Sequence, residues 1–282
     1  MKKKEELIEA LLYLAFAEDI GDGDHTTLST IPENARGRSR LLIKEPGIVS
    51  GVDVAIRTLK KIDPEVNVEV FIHDGAEVKP GDVVFIAEGK TRSLLIAERT
   101  LLNIMQRMSG VATMTRRYQD ELKGLKTKVL DTRKTTPGMR ILEKQGVKDG
   151  GGANHRMGLY DMILIKDNHI DFAGGLEKAV ERAAEYCRAN GKDLKIEVEA
   201  RNLDDVRKLS EMKDVDRIMF DNFTPELTKE AVRIVDGRKE TESSGGITID
   251  NLRAYGEAGV DYISVGALTH SVKGLDVSFK AC

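Results

Sequence analysis

The sequence predicts an α/β protein in which a small α+β layer domain is followed by an incomplete parallel α/β barrel. Three observations carry this. Residues 126–270 alternate six strand-like runs with helical segments, the rhythm of a parallel sheet joined by helical crossovers. Each run ends on polar residues or glycine, as the loop face of such barrels does. Six short strands are too few for a full eight-fold barrel of about 250 residues, so the ring is expected to be open, its gap covered by another domain or subunit.

The elements follow in order. Lys2-Lys3-Lys4 and the apolar "ALLYLAFA" have the outline of a signal peptide, but Glu5, Glu6 and Glu9 interrupt its basic region. Leu7, Leu11, Leu12, Leu14 and Ala15 fall at helical spacing and predict an amphipathic surface helix. "RSRLLIKEPGIVSG" and "NVEVFIHDGAEVKPGDVVFIAEG" read as short strands, with tight reversals at Asp74-Gly75 and Pro80-Gly81. "VDVAIRTLKKID" between them has a helical period. Residues 91–122 form one long helical pattern, expected to break at Ser109-Gly110 and to bridge to the barrel. The barrel strands are "TKVLDTRK", "YDMILIKDN", "LKIEVEA", "DRIMFDN", "KETESSGG" and "DYISVGA". Between them, "LEKAVERAAEYCRAN", "LDDVRKLSEM" and "PELTKEAVRIV" are helical.

Composition narrows the function classes. The 44 Lys and Arg against 47 Asp and Glu give a net charge of −3, so there is no global field for nucleic acid or an anionic membrane. Any anion site must be built locally. Cys187 and Cys282 cannot frame a disulfide scaffold or a four-thiolate metal site, which points to a reducing, cytoplasmic setting. No stretch approaches the roughly 18 apolar residues of a membrane span.

The strand ends converge on one mouth. Arg133, Lys134, His155, Arg156 and Lys166 would bring several cations into one pocket, which is costly unless an anion with several charges occupies it. Glu197 and Glu199, two apart on a strand, share a face, and Asp221 ends the next strand. Glu199 and Asp221 suit Mg²⁺, ribose hydroxyls or a developing sugar cation, while Glu197 also reads as a salt-bridge partner for the cations. Gly245 and Gly246 in "SSGGITIDN", running into a helix, and "SVGALTH" one strand later suit a phosphate cradle. An acidic ring, a sugar, a monophosphate and a magnesium-bound polyphosphate together describe a phosphoribosyltransferase.

In order and spacing, "EDIGDGDHTT", "AERTLLNIMQRMSGVAT", "DTRKTTPGMRILEK", "GGGANHRMGLYDMILIKDNH", "IEVE", "IMFDN", "SSGGIT" and "DYISVGALTH" resemble the quinolinate phosphoribosyltransferase family across nearly the whole chain. Gln145-Gly146 and His25 depart from its usual residues, away from the site. The resemblance implies a type II phosphoribosyltransferase-like fold. Its parts would be an N-terminal α/β sandwich with bridging helix (1–110), an open α/β barrel carrying catalysis (111–270), and a tail (271–282) packing back on the first. It implies transfer of phosphoribosyl from phosphoribosyl pyrophosphate to quinolinate with decarboxylation, a step of de novo NAD biosynthesis. The alternative is a related enzyme using nicotinate or another acid acceptor; a non-catalytic sensor would not need the whole constellation.

By resemblance, Arg133, Lys134, His155, Arg156 and Lys166, with Thr132, bind the acceptor carboxylates, and Lys134 also joins the catalytic set. Glu199 and Asp221 serve catalysis, the ribose and Mg²⁺, directly or through water. Ser244, Gly245, Gly246, Val265, Gly266 and Ala267 hold the 5-phosphate. Arg99 is donated across a homodimer interface, with higher assembly also open. No organic cofactor is expected.

Overall fold

The computed structural model describes residues 2–282; Met1 and the side chains of Lys2 and Lys3 fall outside the described residues, and so does the reading of those lysines as a basic region. The chain forms two compact units. One comprises residues up to Arg116 with Thr135–Gly151 and Leu268–Cys282; the other comprises Arg117–Lys134 with Gly152–Ala267. In chain order the elements begin with α1 (Lys2–Ile20), α2 (His25–Thr30), β1 (Arg36–Ile43), β2 (Gly47–Ile48), α3 (Val52–Ile62), β3 (Asn67–Val70), β4 (Glu77–Val78), β5 (Val83–Lys90) and α4 (Thr91–Glu121). They continue with β6 (Lys128–Leu130), α5 (Arg140–Asp149), β7 (Ile163–Ile165), α6 (Asp167–Ala173), α7 (Leu176–Ala189), β8 (Ile196–Ala200) and α8 (Leu203–Glu211). The last are β9 (Arg217–Asp221), α9 (Pro225–Val235), β10 (Glu240–Ser244), α10 (Leu252–Glu257), β11 (Tyr262–Ser264), α11 (Ala267–His270) and β12 (Val277–Ala281).

In the first unit an antiparallel sheet runs β12-β1-β5-β3, so the C-terminal segment supplies an edge strand, Leu41 opposite Phe279. Its apolar face, including Leu41, Ile43 and Phe85, packs with Val52, Ala55 and Leu59 of α3 and Leu94, Leu101 and Met105 of α4. A second cluster joins Ile8 and Leu12 of α1 to Val54, Ile104, Met108 and Leu142. The buried stripe of α1 is therefore turned from the expected one. Ile8 and Leu12, four apart and so stacked on one face, point inward, while Leu7 and Leu14 are exposed.

The expected break in α4 is absent. Ser109 Oγ accepts the Ser50 N–H and donates to the Ser50 carbonyl, and a Cβ on Gly110 would lie under 3.0 Å from the Lys273 carbonyl. The Ser-Gly pair thus permits close approach of neighbouring chain within an unbroken helix. Gly110→Ala is expected to destabilise by about 1–3 kcal/mol, since a backbone carbonyl must move to admit the methyl. A thermal melt should show the midpoint falling by several degrees.

Asp74 accepts the Val52 N–H at the start of α3. Burial, with added repulsion from Asp149 and Asp53, pushes its carboxyl up to about 6. Because the folded state then binds this proton more tightly than an unfolded chain, stability rises as pH falls from about 6 towards about 4. Asp74→Asn keeps the acceptor and removes the charge. It should be more stable than the parent at pH 7.5, by about 1–2 kcal/mol in denaturant melts, and show no advantage at pH 4.

The second unit is built on a parallel sheet in the order β6-β11-β10-β9-β8-β7. The first two strands in sequence are its edges, so the ring opens between β6 and β7. There Ala153 bridges to Leu130 and donates its N–H to the Val129 carbonyl at 2.9 Å, laying the segment before β7 along the free edge of β6. The expected open barrel with six strands is present. Register aligns Glu197 and Glu240 with Arg217, and Glu199, Glu242 and Tyr262 with the level of Met219. Since i and i+2 share a face, one face of β8–β11 is charged. The other, with Val198, Ala200, Ile218, Phe220 and Ile263, is apolar and buried, and α7, α8, α9 and α10 lie against these strands. Closed barrels fill their interior with branched apolar layers; this one fills it with ion pairs. Among the described residues, no helix is long and apolar enough to cross a membrane.

Candidate active site

At the end of β6, Asp131 is fully buried and its Oδ1 accepts the His155 N–H at 2.9 Å. That bond pins the Asn154-His155-Arg156 loop to the strand end, after a turn in which Gly151 has φ 93°. Thr132 Oγ1 accepts the Lys134 N–H at 3.0 Å, shaping the loop that presents Arg133 and Lys134 to solvent. Arg156 is half-buried and donates through Nη1 to the Met162 carbonyl at 3.2 Å. Burial and then the nearby Arg133 charge pull its guanidinium below the ordinary value, opposed by Glu197, Asp161 and Glu199. Two guanidinium groups close enough to repel create a local demand for an anion.

Lys166 stands at the end of β7, where its N–H donates to His169 Nδ1 at 2.9 Å, which gives His169 a structural role. Lys166 Nζ lies 2.7 Å from Glu199 Oε1, and Glu199 Oε2 accepts the Asp167 N–H at 3.1 Å. Glu199 in turn borders both Arg156 and Asp221 electrostatically. The folded-back loop therefore brings Arg156 and Lys166 around a shared carboxylate.

Asp221 ends β9. Burial and the Glu199 charge raise its carboxyl, offset by a hydrogen bond from Asn222 and by Lys166. Mutual repulsion between carboxylates on adjacent strand ends fits a site for a divalent cation shared with phosphate oxygens. Because Glu199 already uses one oxygen on Lys166 and the other on Asp167 N–H, Asp221 is the freer donor of the two.

The β10 end supplies Ser244, Gly245 (φ 96°) and Gly246 (φ 61°). A Cβ on Gly245 would come within 2.7 Å of the Asn222 side chain, while Asn222 itself holds φ 56° and donates its N–H to the Ser244 carbonyl. The two strand ends are thereby locked together. The helix expected to open at these glycines does not: α10 begins only at Leu252, after a turn in which Asn251 Oδ1 accepts the Thr248 N–H at 2.8 Å. One strand on, Val265 donates to the Leu130 carbonyl at 2.9 Å, and Gly266 leads into the four-residue α11, which opens at Ala267. The glycine backbone, not a helix N-terminus, is what this edge of the mouth offers a phosphate.

The predicted site residues thus occupy one unit, with one exception. Arg99 lies on α4 in the first unit, where it lines a cleft of about 450 Å³ with Asn103, Arg107, Thr136, Glu18 and Asp19. Nearby, Arg107 Nε donates to Glu143 Oε1 at 2.8 Å and Nη2 to the Thr269 carbonyl, while the fully buried Glu143 also accepts the Thr136 N–H and hydroxyl. Sequence reading passed over this pair, which had no signal beyond two charges in helical patterns.

It also passed over Glu242, Arg217 and Asp131. His155, 6% exposed in its side chain, has Nε2 at 3.0 Å from Glu197 Oε2 and 3.6 Å from Glu242 Oε2. Arg217 Nη1 lies 3.0 Å from Glu242 Oε2 and its Nη2 2.8 Å from Glu240 Oε2. Burial pushes the Glu197 carboxyl up to about 7, against Arg217, a hydrogen bond with Glu242, and Arg156. Burial and the Glu197 charge push Glu242 up to about 8. Donor atoms of His155, Glu197 and Glu242 lie within 4.8 Å of one another, a spacing open to a metal. The Arg217 guanidinium against Glu242 already supplies the positive charge there. The available signal was charge at every second position, Glu240 and Glu242, in a run read only as a strand.

Known proteins resemble this chain over nearly its whole length. The chain matches family models described as "Quinolinate phosphoribosyl transferase, N-terminal domain" over residues 24–109 and "C-terminal domain" over residues 111–280. It is 43% identical to a chloroplastic nicotinate-nucleotide pyrophosphorylase [carboxylating] of Oryza sativa subsp. japonica, covering 97% of this chain and 77% of that one. It is 41% identical to a probable nicotinate-nucleotide pyrophosphorylase [carboxylating] of Bacillus subtilis, covering 96% and 92%. Among solved structures it resembles NadC from Streptococcus pyogenes, with TM-score 0.92, 37% identity and coverage of 97% and 95%. It is similarly close to the nicotinate-nucleotide pyrophosphorylase from Francisella tularensis, with TM-score 0.90, 37% identity and coverage of 98% and 96%.

Proposed function

The chain belongs to the quinolinate phosphoribosyltransferase family, and on that premise we infer that it transfers phosphoribosyl from phosphoribosyl pyrophosphate to quinolinate with decarboxylation. The products are nicotinate mononucleotide, CO₂ and pyrophosphate, a step of de novo NAD biosynthesis. The observation that carries this reading is the pair Arg133 and Arg156, close enough to repel, beside Lys166 and the carboxylates of Glu199 and Asp221. A dianionic ring relieves the first group, and a cationic sugar transition state suits the second.

Arg133, Arg156 and Lys166, with Thr132 and His155, orient the two acceptor carboxylates so that the ring nitrogen faces C1 of the ribose. As pyrophosphate leaves, the Glu199 and Asp221 carboxylates stabilise positive charge on the sugar. Ser244, Gly245, Gly246 and Val265 to Ala267 hold the 5-phosphate. Once ribosylated, the ring nitrogen is cationic, and its charge stabilises the C2 carbanion left when the carboxylate departs as CO₂; a proton from water then completes C2–H. Lys134, presented by the same loop as Arg133, is assigned with it to the acceptor carboxylates and to the catalytic set. Mg²⁺ held by Asp221 and Glu199, directly or through water, would neutralise the pyrophosphate.

Arg99, on the other unit, is assigned to the site of a second copy in a homodimer. The free Cys187 and Cys282 support a reducing, cytoplasmic location. Calorimetric titration tests the acceptor: quinolinate should bind at least about 10-fold more tightly than nicotinate, since its second carboxylate meets an additional cation. Equal affinities would refute a site built for a diacid.

A further inference from the structure

Buried cationic groups are costly to hold in place before an anion arrives unless acceptors stand behind them, and the barrel interior supplies carboxyl groups, with Glu240 on Arg217 and Glu242 between Arg217 and His155. Glu242 is fully buried between the Arg217 guanidinium and the His155 imidazole: its Oε2 is 3.0 Å from Arg217 Nη1 and 3.6 Å from His155 Nε2. Arg217 is fixed from the far side by Glu240 and by its stacking 4.4 Å above the Tyr262 ring. At the mouth, His155 Nδ1 accepts the Arg156 N–H at 2.7 Å, so the imidazole orients the backbone that carries the guanidinium. The interior chain thus runs from Glu240 through Arg217, Glu242 and His155 to Arg156.

We propose that Glu242 and Arg217 are positioning residues for the acceptor diacid, acting through His155 to hold Arg156 in its binding orientation before substrate arrives. This rests on the reading of the mouth as the quinolinate site. Glu197 is two residues from Glu199 on the same face of β8, at the sugar end, while Glu242 is two residues from Ser244 on the same face of β10, at the phosphate end. Glu242 is on β10, two strands from β8.

The test combines steady-state kinetics with quinolinate titration of Glu242→Leu and Glu242→Gln in the full-length protein. In Glu242→Leu the quinolinate Kd and KM should rise about 10-fold or more, the loss expected for a hydrogen bond to a charged group. The KM for phosphoribosyl pyrophosphate should rise by clearly less than the quinolinate KM. Glu242→Gln, which retains an acceptor oxygen for Arg217, should recover quinolinate affinity to within about three-fold of the parent. A folded Leu variant with parental quinolinate affinity, or with both KM values rising together, overturns the proposal. If Glu242→Leu does not fold, Arg217→Met must show the same split, and its absence is equally fatal. Stoichiometric divalent metal in the parent that is lost in Glu242→Gln would reassign the cluster as a metal site and also overturn it. Failure of the parent itself to turn over quinolinate would instead defeat the functional reading, and this assignment with it.

Discussion

Arg156→Ala is expected to lower turnover at sub-saturating quinolinate by about 100-fold or more, almost wholly through lost quinolinate binding. A charge-assisted carboxylate partner in a half-buried mouth contributes about 2–4 kcal/mol, and removing one side leaves the substrate carboxylate without its donor. Burial and then the nearby Arg133 charge hold the Arg156 guanidinium below its ordinary value, and an anionic carboxylate beside it relieves both. The KM for phosphoribosyl pyrophosphate should change little, because the phosphate cradle at Ser244 to Gly246 is on a different strand. Titration with quinolinate checks this, and unchanged affinity would remove Arg156 from the acceptor site.

Glu199→Gln should behave in the opposite way. Quinolinate binding is retained while the bond-forming step slows by about 10²–10³, the usual cost of losing one charge aimed at a developing transition-state charge. The amide still presents one oxygen to either Lys166 or the Asp167 N–H, so the loop geometry at β7 survives. Single-turnover kinetics separate the two effects. Near-normal turnover would mean that Asp221 alone faces the sugar.

Much of this architecture was legible in the sequence because parallel strands announce themselves twice, by apolar runs and by the polar residues at their ends. "YDMILIKDN" gives β7 and the position of Lys166; "DRIMFDN" gives β9 and Asp221. In "GGGANHR" the glycines precede a loop that the His155 N–H to Asp131 bond pins to the end of β6. What stayed hidden depended on knowing which face of a strand is buried. Glu240 and Glu242 alternate with Thr241 and Ser243, a pattern that a solvated strand shares, and only the open barrel reveals that the charged face points inward. Gly110 was misread for a related reason. A glycine in a helical pattern signals a break or a close approach equally well, and the Lys273 carbonyl that decides between them is more than 160 residues away. Likewise, Gly245 and Gly246 suggested a helix N-terminus, but their backbone conformations serve contact with Asn222 and the helix starts later.

The most direct test of the central claim follows both products from quinolinate labelled at its 2-carboxylate, with phosphoribosyl pyrophosphate and Mg²⁺. The predicted result is labelled CO₂ and pyrophosphate in equal amounts, both dependent on Glu199. Pyrophosphate release with nicotinate, and neither product from quinolinate, would contradict it.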